Sequence, residues 1–214
     1  FLLMLMTLFK GGIQILYIVT NRKLVQNEEF YDVIERVAKN KVDYLALREK
    51  DLSGEELFSL AKDIKIITDK YNVPLIINGN LKVAEDVNAY GCQLSYNVLM
   101  ESSLWKKSKL KIGASVHSLE EAINAEKVGA DYLVAGHIFE TDCKKGLKGR
   151  GLNFVSNISN HINIPLIAIG GINENNASSV IKAGASGVAI MSTAMKKDNC
   201  DKIQRILTEI RKVK

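Results

Sequence analysis

His117 stands where an apolar run, Lys111–Val116, meets Ser118, with Glu121 three residues further on. Histidine titrates near neutrality, so one set at the end of a strand is a candidate catalytic proton carrier. The competing structural reading is a histidine that bonds the helix start or a loop carbonyl. Arg48 and Lys50 alternate along one extended segment, and a period of two puts them on one face, where they can jointly clamp an anion. An ion pair with a nearby carboxylate such as Glu49 is the alternative. Two further apolar runs end in Ile169-Gly170-Gly171 and Ile190-Met191-Ser192. Without a side chain in the way, a phosphate reaches the backbone N–H groups there, although a double glycine also serves a plain tight turn. Asn78, Ser115, Thr141 and Lys144 fall at or just beyond the ends of other runs and join the candidate substrate-binding set. His137 is followed by Ile138 and Phe139, which points to a packed loop, and His161 lies in a short polar connection facing solvent. Cys143 beside Lys144 has no evident base and reads as a passive loop thiol. Ser115 lacks the G-x-S-x-G setting of a hydrolase nucleophile.

Elements that hold such residues at one place must end together. Eight short apolar runs qualify as strands: Gln14–Thr20, Asp43–Arg48, Pro74–Asn78, Cys92–Ser95, Lys111–Val116, Asp131–Gly136, Pro165–Gly170 and Gly187–Met191. Amphipathic segments separate them, with Phe30, Val33, Ile34 and Val37 spaced as one face of a helix. Leu57, Leu60, Ala61 and Ile64 repeat that spacing, as do Ala177, Val180, Ile181 and Gly184, and then Ile203, Ile206, Leu207 and Ile210. Ser53 with Glu56 and Ser118 with Glu121 match the capping-box pattern at helix starts. Strand–helix alternation predicts parallel strands joined by helices. An open doubly wound sheet would favour a G-x-G-x-x-G turn after the first strand, and none is present. The loops after strands seven and eight are where barrels bind phosphate, so the expectation is a single α/β domain, a (β/α)8 barrel over 13–214. Residues 1–12 read as an N-terminal extension.

With 214 residues, 47% of them hydrophobic, the chain suits one globular domain of this kind. The net charge of +5 is modest, and the dense basic cluster Lys144, Lys145, Lys148 and Arg150 sits in a glycine-containing loop. A nucleic-acid surface would carry a basic stripe with interleaved aromatics, so no nucleic-acid partner is expected. The apolar start, Phe1 to Phe9, is too short to span a bilayer and lacks a preceding basic region, so no membrane partner is expected. Three widely spaced cysteines suggest neither a disulfide framework nor a metal pair, which suits the cytoplasm. A homo-oligomer stays open.

The segment Ser115-Val116-His117-Ser118-Leu119-Glu120-Glu121-Ala122 resembles a stretch of the thiamine phosphate synthase family. So do Gly136-His137-Ile138-Phe139-Glu140-Thr141-Asp142-Cys143-Lys144-Lys145-Gly146 and Ile167-Ala168-Ile169-Gly170-Gly171, and Ala46-Leu47-Arg48-Glu49-Lys50 is similar to its Q-L-R-E-K motif. More narrowly, the chain resembles the TenI branch. The resemblance runs from about Gln14 to the C-terminus and implies the (β/α)8 fold. The synthase joins a pyrimidine diphosphate to a thiazole phosphate and expels pyrophosphate with Mg2+. Its third strand ends in N-D-D and its fourth strand end carries a further Asp. Here those places read Asn78-Gly79-Asn80 and Leu94-Ser95-Tyr96-Asn97-Val98, while Ala46 and Cys143 replace a Gln and a Thr. The phosphate half, Gly170, Gly171, Met191 and Ser192, is retained. The resemblance therefore implies a thiazole tautomerase, an isomerase needing no metal or other cofactor. In that reading Gly171, Met191 and Ser192 hold the phosphate of a small phosphorylated thiazole. Arg48, helped by Lys50 or Lys144, faces the ring carboxylate, and His117 moves the proton. The alternatives are a synthase whose metal ligands come from elsewhere, and a non-catalytic or regulatory thiazole phosphate-binding protein.

Overall fold

The computed structural model describes residues 14–141, 146–197 and 199–213. Eight strands run β1 (Ile15–Val19), β2 (Tyr44–Leu47), β3 (Leu75–Asn78), β4 (Gly91–Ser95), β5 (Lys111–Val116), β6 (Tyr132–Gly136), β7 (Leu166–Ile169) and β8 (Gly187–Ile190). Each pairs in parallel with the next, and β8 returns to β1, so the sheet closes as the expected (β/α)8 barrel. At the closing seam Ile15 faces Gly187, and a Cβ on that glycine would lie 2.5 Å from the Ile15 carbonyl oxygen.

Strands in a closed barrel are buried on both faces, which explains their continuous apolar runs. Alternate residues divide between two cores. Ile15, Tyr17, Val19, Ala46, Ile76, Tyr132, Val134, Ile167 and Ala189 fill the interior. Their neighbours, among them Leu16, Ile18, Leu45, Leu47 and Leu133, pack against the helices. Toward the N-terminal end of the barrel, Tyr17, Tyr44, Tyr90 and Tyr132 gather around a cavity of about 330 Å³. The Tyr17 and Tyr132 hydroxyls are 3.4 Å apart, and burial pushes both phenols above their ordinary range. Burial likewise pushes the Cys92 thiol up to about 12, which keeps it an inert core residue.

Eight α-helices cover the barrel among the described residues: α1 (Phe30–Lys39), α2 (Gly54–Lys70), α3 (Leu81–Asp86), α4 (Tyr96–Glu101), α5 (Leu119–Val128), α6 (Gly151–Ser159), α7 (Ala177–Lys182) and α8 (Cys200–Arg211). The four periodic faces read from sequence are those of α1, α2, α7 and α8, and α1 buries Val33, Ile34 and Val37 as their spacing requires. α3 buries only Val83 and Ala84 and α4 only Leu99, so neither leaves such a periodic trace. The box at Ser53 is complete: its Oγ accepts from the Glu56 N–H, and the Glu56 carboxylate accepts from the Ser53 N–H. Replacing Ser53 with Ala should cost about 1 kcal/mol, read as a lowered urea midpoint with an unchanged slope. An unmoved midpoint would show that solvent replaces the cap. The second box is only half formed. Ser118 Oγ accepts from Glu121 N–H, but the Glu121 carboxylate turns to the backbone N–H of His117, at 2.6 Å.

β1, β2, β3, β6 and β7 each begin one residue later than the apolar runs suggest, and before β2 and β6 the preceding aspartate makes a side-chain bond at the strand start. Asp43 Oδ2 accepts from the Leu16 N–H and Asp131 Oδ2 from the Ile112 N–H, both at 2.8 Å. Among the described residues no helix is long and apolar enough to cross a membrane. The expected extension 1–12 and the loop residues Asp142, Cys143, Lys144 and Lys145 lie outside the described residues.

Candidate active site

Because the strands are parallel, their C-terminal ends converge on one rim of the barrel. The rim surrounds an open cavity of about 700 Å³, enough for two small substrates. Arg48, Lys50, Asn78, Ser115, His117, Thr141, Gly170, Gly171, Met191 and Ser192 all line it. Residues spread over 145 positions of sequence thus meet at one mouth, and Lys144 alone of the candidate set lies outside the described residues.

Arg48 and Lys50 share a side of this mouth, but Glu49 does not pair with them. It is buried, its side chain 1% exposed. Its Oε1 accepts from Thr20 Oγ1 at 2.7 Å, and both its oxygens accept from the Arg22 N–H at 3.1 Å. The Arg22 guanidinium completes the pair at 3.1 Å and forks onto Asp51 at 2.7 Å. Asp51 is held well below the usual carboxylate range by Arg22 first and Lys23 next. Thr20 Oγ1 in turn accepts from the Arg48 N–H at 2.9 Å, tying the segment that carries both cations. No ion pair joins Arg48 or Lys50 to any of the described residues, so both cations are left for a ligand.

Across the mouth, Gly170 and Gly171 adopt φ values of +109° and +65°. A Cβ on Gly170 would lie 2.5 Å from the His137 Cβ, and one on Gly171 would lie 2.5 Å from the Glu140 carbonyl oxygen. Both glycines are therefore required by close approach as well as by backbone conformation. The N–H groups of Gly171, Ser192 and Thr193 donate to no acceptor among the described residues, which suits an anion cradle.

His117 sits at the rim, its side chain 47% exposed and its Nδ1 3.6 Å from Glu121 Oε2. His137 is packed, as its neighbours suggest: it is 7% exposed, and its Nε2 lies 3.1 Å from the Lys148 carbonyl oxygen and 3.3 Å from that of Leu147. Its ring thereby ties the loop after β6. His161 is exposed and reaches back to the Asn157 carbonyl. Gln93, absent from the expected set, also lines the mouth. It is 3% exposed, donates from Nε2 to Ser115 Oγ at 3.0 Å, and leaves its Oε1 without a partner among the described residues. Its alternation with Ser95 along β4 carried that signal.

This geometry defines the protein class first: a (β/α)8 barrel with a cation pair and a glycine cradle at the C-terminal mouth. The TMP-TENI family model, described as thiamine monophosphate synthase, matches residues 16–194, and the chain belongs to that family. A thiamine-phosphate synthase of Clostridium tetani is 38% identical over 196 residues, 90% of this chain and 93% of that protein. One from Clostridium acetobutylicum is 36% identical over 198 residues, 91% of this chain and 93% of that protein. Among solved structures, thiamine phosphate pyrophosphorylase from Pyrococcus furiosus superposes with a TM-score of 0.81 at 32% identity, covering 94% of this chain and 96% of that one.

These relatives overturn the expectation of a TenI-type tautomerase, and with it the assignment to the isomerases. That reading rested on departures from the synthase pattern at Ala46, in Asn78-Gly79-Asn80 and Leu94-Ser95-Tyr96-Asn97-Val98, and at Cys143. The likeness to the named synthases runs through about nine-tenths of the chain, and it favours the transferase alternative.

Proposed function

We propose that the chain is a transferase of the thiamine-phosphate synthase type, joining a pyrimidine diphosphate to a thiazole phosphate with loss of pyrophosphate. The observation that carries this reading is the 38% identity, over nine-tenths of both chains, to a relative of that name. The mouth is chemically suited to it. The reaction forms one bond at the carbon that carried the diphosphate and breaks that carbon's bond to oxygen, and the electron pair leaves with pyrophosphate. Negative charge grows on the departing oxygens, and fixed cations beside them stabilise it with little reorganisation. Arg48 and Lys50 are those cations in this proposal. The N–H groups of Gly171, Ser192 and Thr193 anchor the phosphate of the second substrate, and Asn78, Ser115 and Thr141 line the space between. His117 at the rim is a candidate proton donor to the departing pyrophosphate.

The test is coupling of the two substrates by purified protein, with and without MgCl2, followed by chromatography of the product and release of pyrophosphate. Stoichiometric product and pyrophosphate are expected. Arg48→Met should lower kcat/KM by about 10- to 100-fold, the range for losing a charge-assisted contact. Failure to couple in either buffer would remove the transferase reading.

A further inference from the structure

Mg2+ is usually held by one or two protein carboxylates together with substrate oxygens and water. The synthase pattern named above includes that ion, so the donors at this mouth can be tested against it. Among the described residues no three His, Cys, Asp or Glu side chains come together as a metal site. Glu49 is the one carboxylate among the described residues lining the mouth, and its oxygens are taken by Thr20 and Arg22. Where the resemblance leads one to look for aspartates, Gly79, Asn80 and the stretch Leu94-Ser95-Tyr96-Asn97-Val98 stand instead. Asn80 spends its Oδ1 as the cap of α3, accepting from the Val83 N–H at 3.0 Å. Ser95 spends its Oγ on the Val98 N–H at 3.3 Å, and Val98 itself presents an aliphatic side chain, 44% exposed, to the mouth. Among the described residues, what remains nearby is Arg48, Lys50, the His117 and His137 rings, and neutral amides and hydroxyls. The described donor set does not fit a hard divalent cation, whereas it does fit an anion.

We infer that this mouth holds a diphosphate group directly on Arg48 and Lys50, with no divalent cation bridging it to the protein. A dication here would meet two positive charges and, among the described residues, no free carboxylate, and neutralising the diphosphate beforehand would weaken its pull on both side chains. A guanidinium can instead take two phosphate oxygens at once, while the ammonium serves as a point charge beside it. The inference rests on the diphosphate substrate of the proposed function, but its test needs no turnover.

Inorganic pyrophosphate is titrated calorimetrically into the full chain, once in EDTA and once in excess MgCl2. Binding in EDTA should be as tight as in MgCl2 or tighter, and Arg48→Met and Lys50→Met should each weaken it there by about tenfold or more. Paramagnetic resonance of Mn2+ with pyrophosphate should show no protein-immobilised ion. Binding at least about tenfold tighter in MgCl2, an immobilised Mn2+, or no binding in EDTA would each overturn the inference. A chain that binds pyrophosphate in EDTA yet couples no substrates would overturn the proposed function alone.

Discussion

Gly170→Ala should destabilise the barrel by about 3 kcal/mol, as strain in the backbone and overpacking each contribute about 1–3 kcal/mol. The residue has φ +109°, which L side chains rarely adopt, so the methyl group is strained before it touches anything. It would then meet the His137 Cβ at 2.5 Å, the His137 Cα at 2.7 Å and the Ile138 nitrogen at 3.1 Å. None of these can swing away cheaply. The Ile138 N–H is bonded to the Ile169 carbonyl at 2.9 Å and the Phe139 N–H to the Gly170 carbonyl at 3.0 Å. His137 is pinned by its ring to the Leu147 and Lys148 carbonyls. For a chain of this size the melting temperature should fall by about 6–12 °C. Urea unfolding within about 0.5 kcal/mol of the parent would show that the loop after β6 yields, and that its close approach is not needed.

Glu49→Ala should show the second largest loss, about 2–3 kcal/mol, somewhat below the 3–5 kcal/mol of a fully buried broken pair, because Arg22 retains Asp51. The Thr20 hydroxyl and the Arg22 N–H would lose their acceptor in a buried place. The consequence also reaches the mouth, since Thr20 holds the Arg48 N–H and Glu49 lies between the two cations in sequence. A positioning role predicts that KM for the diphosphate substrate of the proposed reaction rises about tenfold while kcat moves less. Glu49→Gln keeps oxygen and nitrogen where the carboxylate was and should restore most of the KM. Equal loss of kcat and kcat/KM, with no rescue by Gln, would instead place Glu49 among groups acting on the transition state.

Much of this architecture could be read before any coordinates. Strands buried on both faces announce themselves as runs such as Leu166–Ile169, and the alternation with helices then implies parallel order and a common mouth. The candidate residues converge for that reason: each was chosen at a strand end, and parallel strands end together. Glu49 shows what such reading misses. Its sequence neighbours are Arg48 and Lys50, so a pair with them was the natural alternative. The pairing of β1 with β2 instead brings Thr20 and Arg22 against it, and they take its oxygens. Glu121 is a similar case, its carboxylate drawn one residue beyond the cap to the His117 N–H. Gln93 was passed over because glutamine inside an apolar run draws less notice than a charge at its end. The branch of chemistry was misread for another reason. Gly79 and Asn80 bear on which ion the mouth would hold, but missing ligands do not name the reaction left to the site.

The seam between β1 and β8 bears on how the protein comes off the ribosome. Ile15 and Gly187 are partners, and 187 − 15 leaves 172 positions of chain to be made between them. At about 5–20 residues per second, the outer edge of β1 waits on the order of ten to thirty seconds for its partner. During that wait Leu16 to Val19 form an apolar strand with one side unpaired, the kind of edge that other chains recruit. Local contacts of β1 with β2 and α1 can form early, but the ring itself closes only once β8 has been made. Slow translation between β2 and β8 would therefore expose this edge longer than slow translation anywhere upstream of β2.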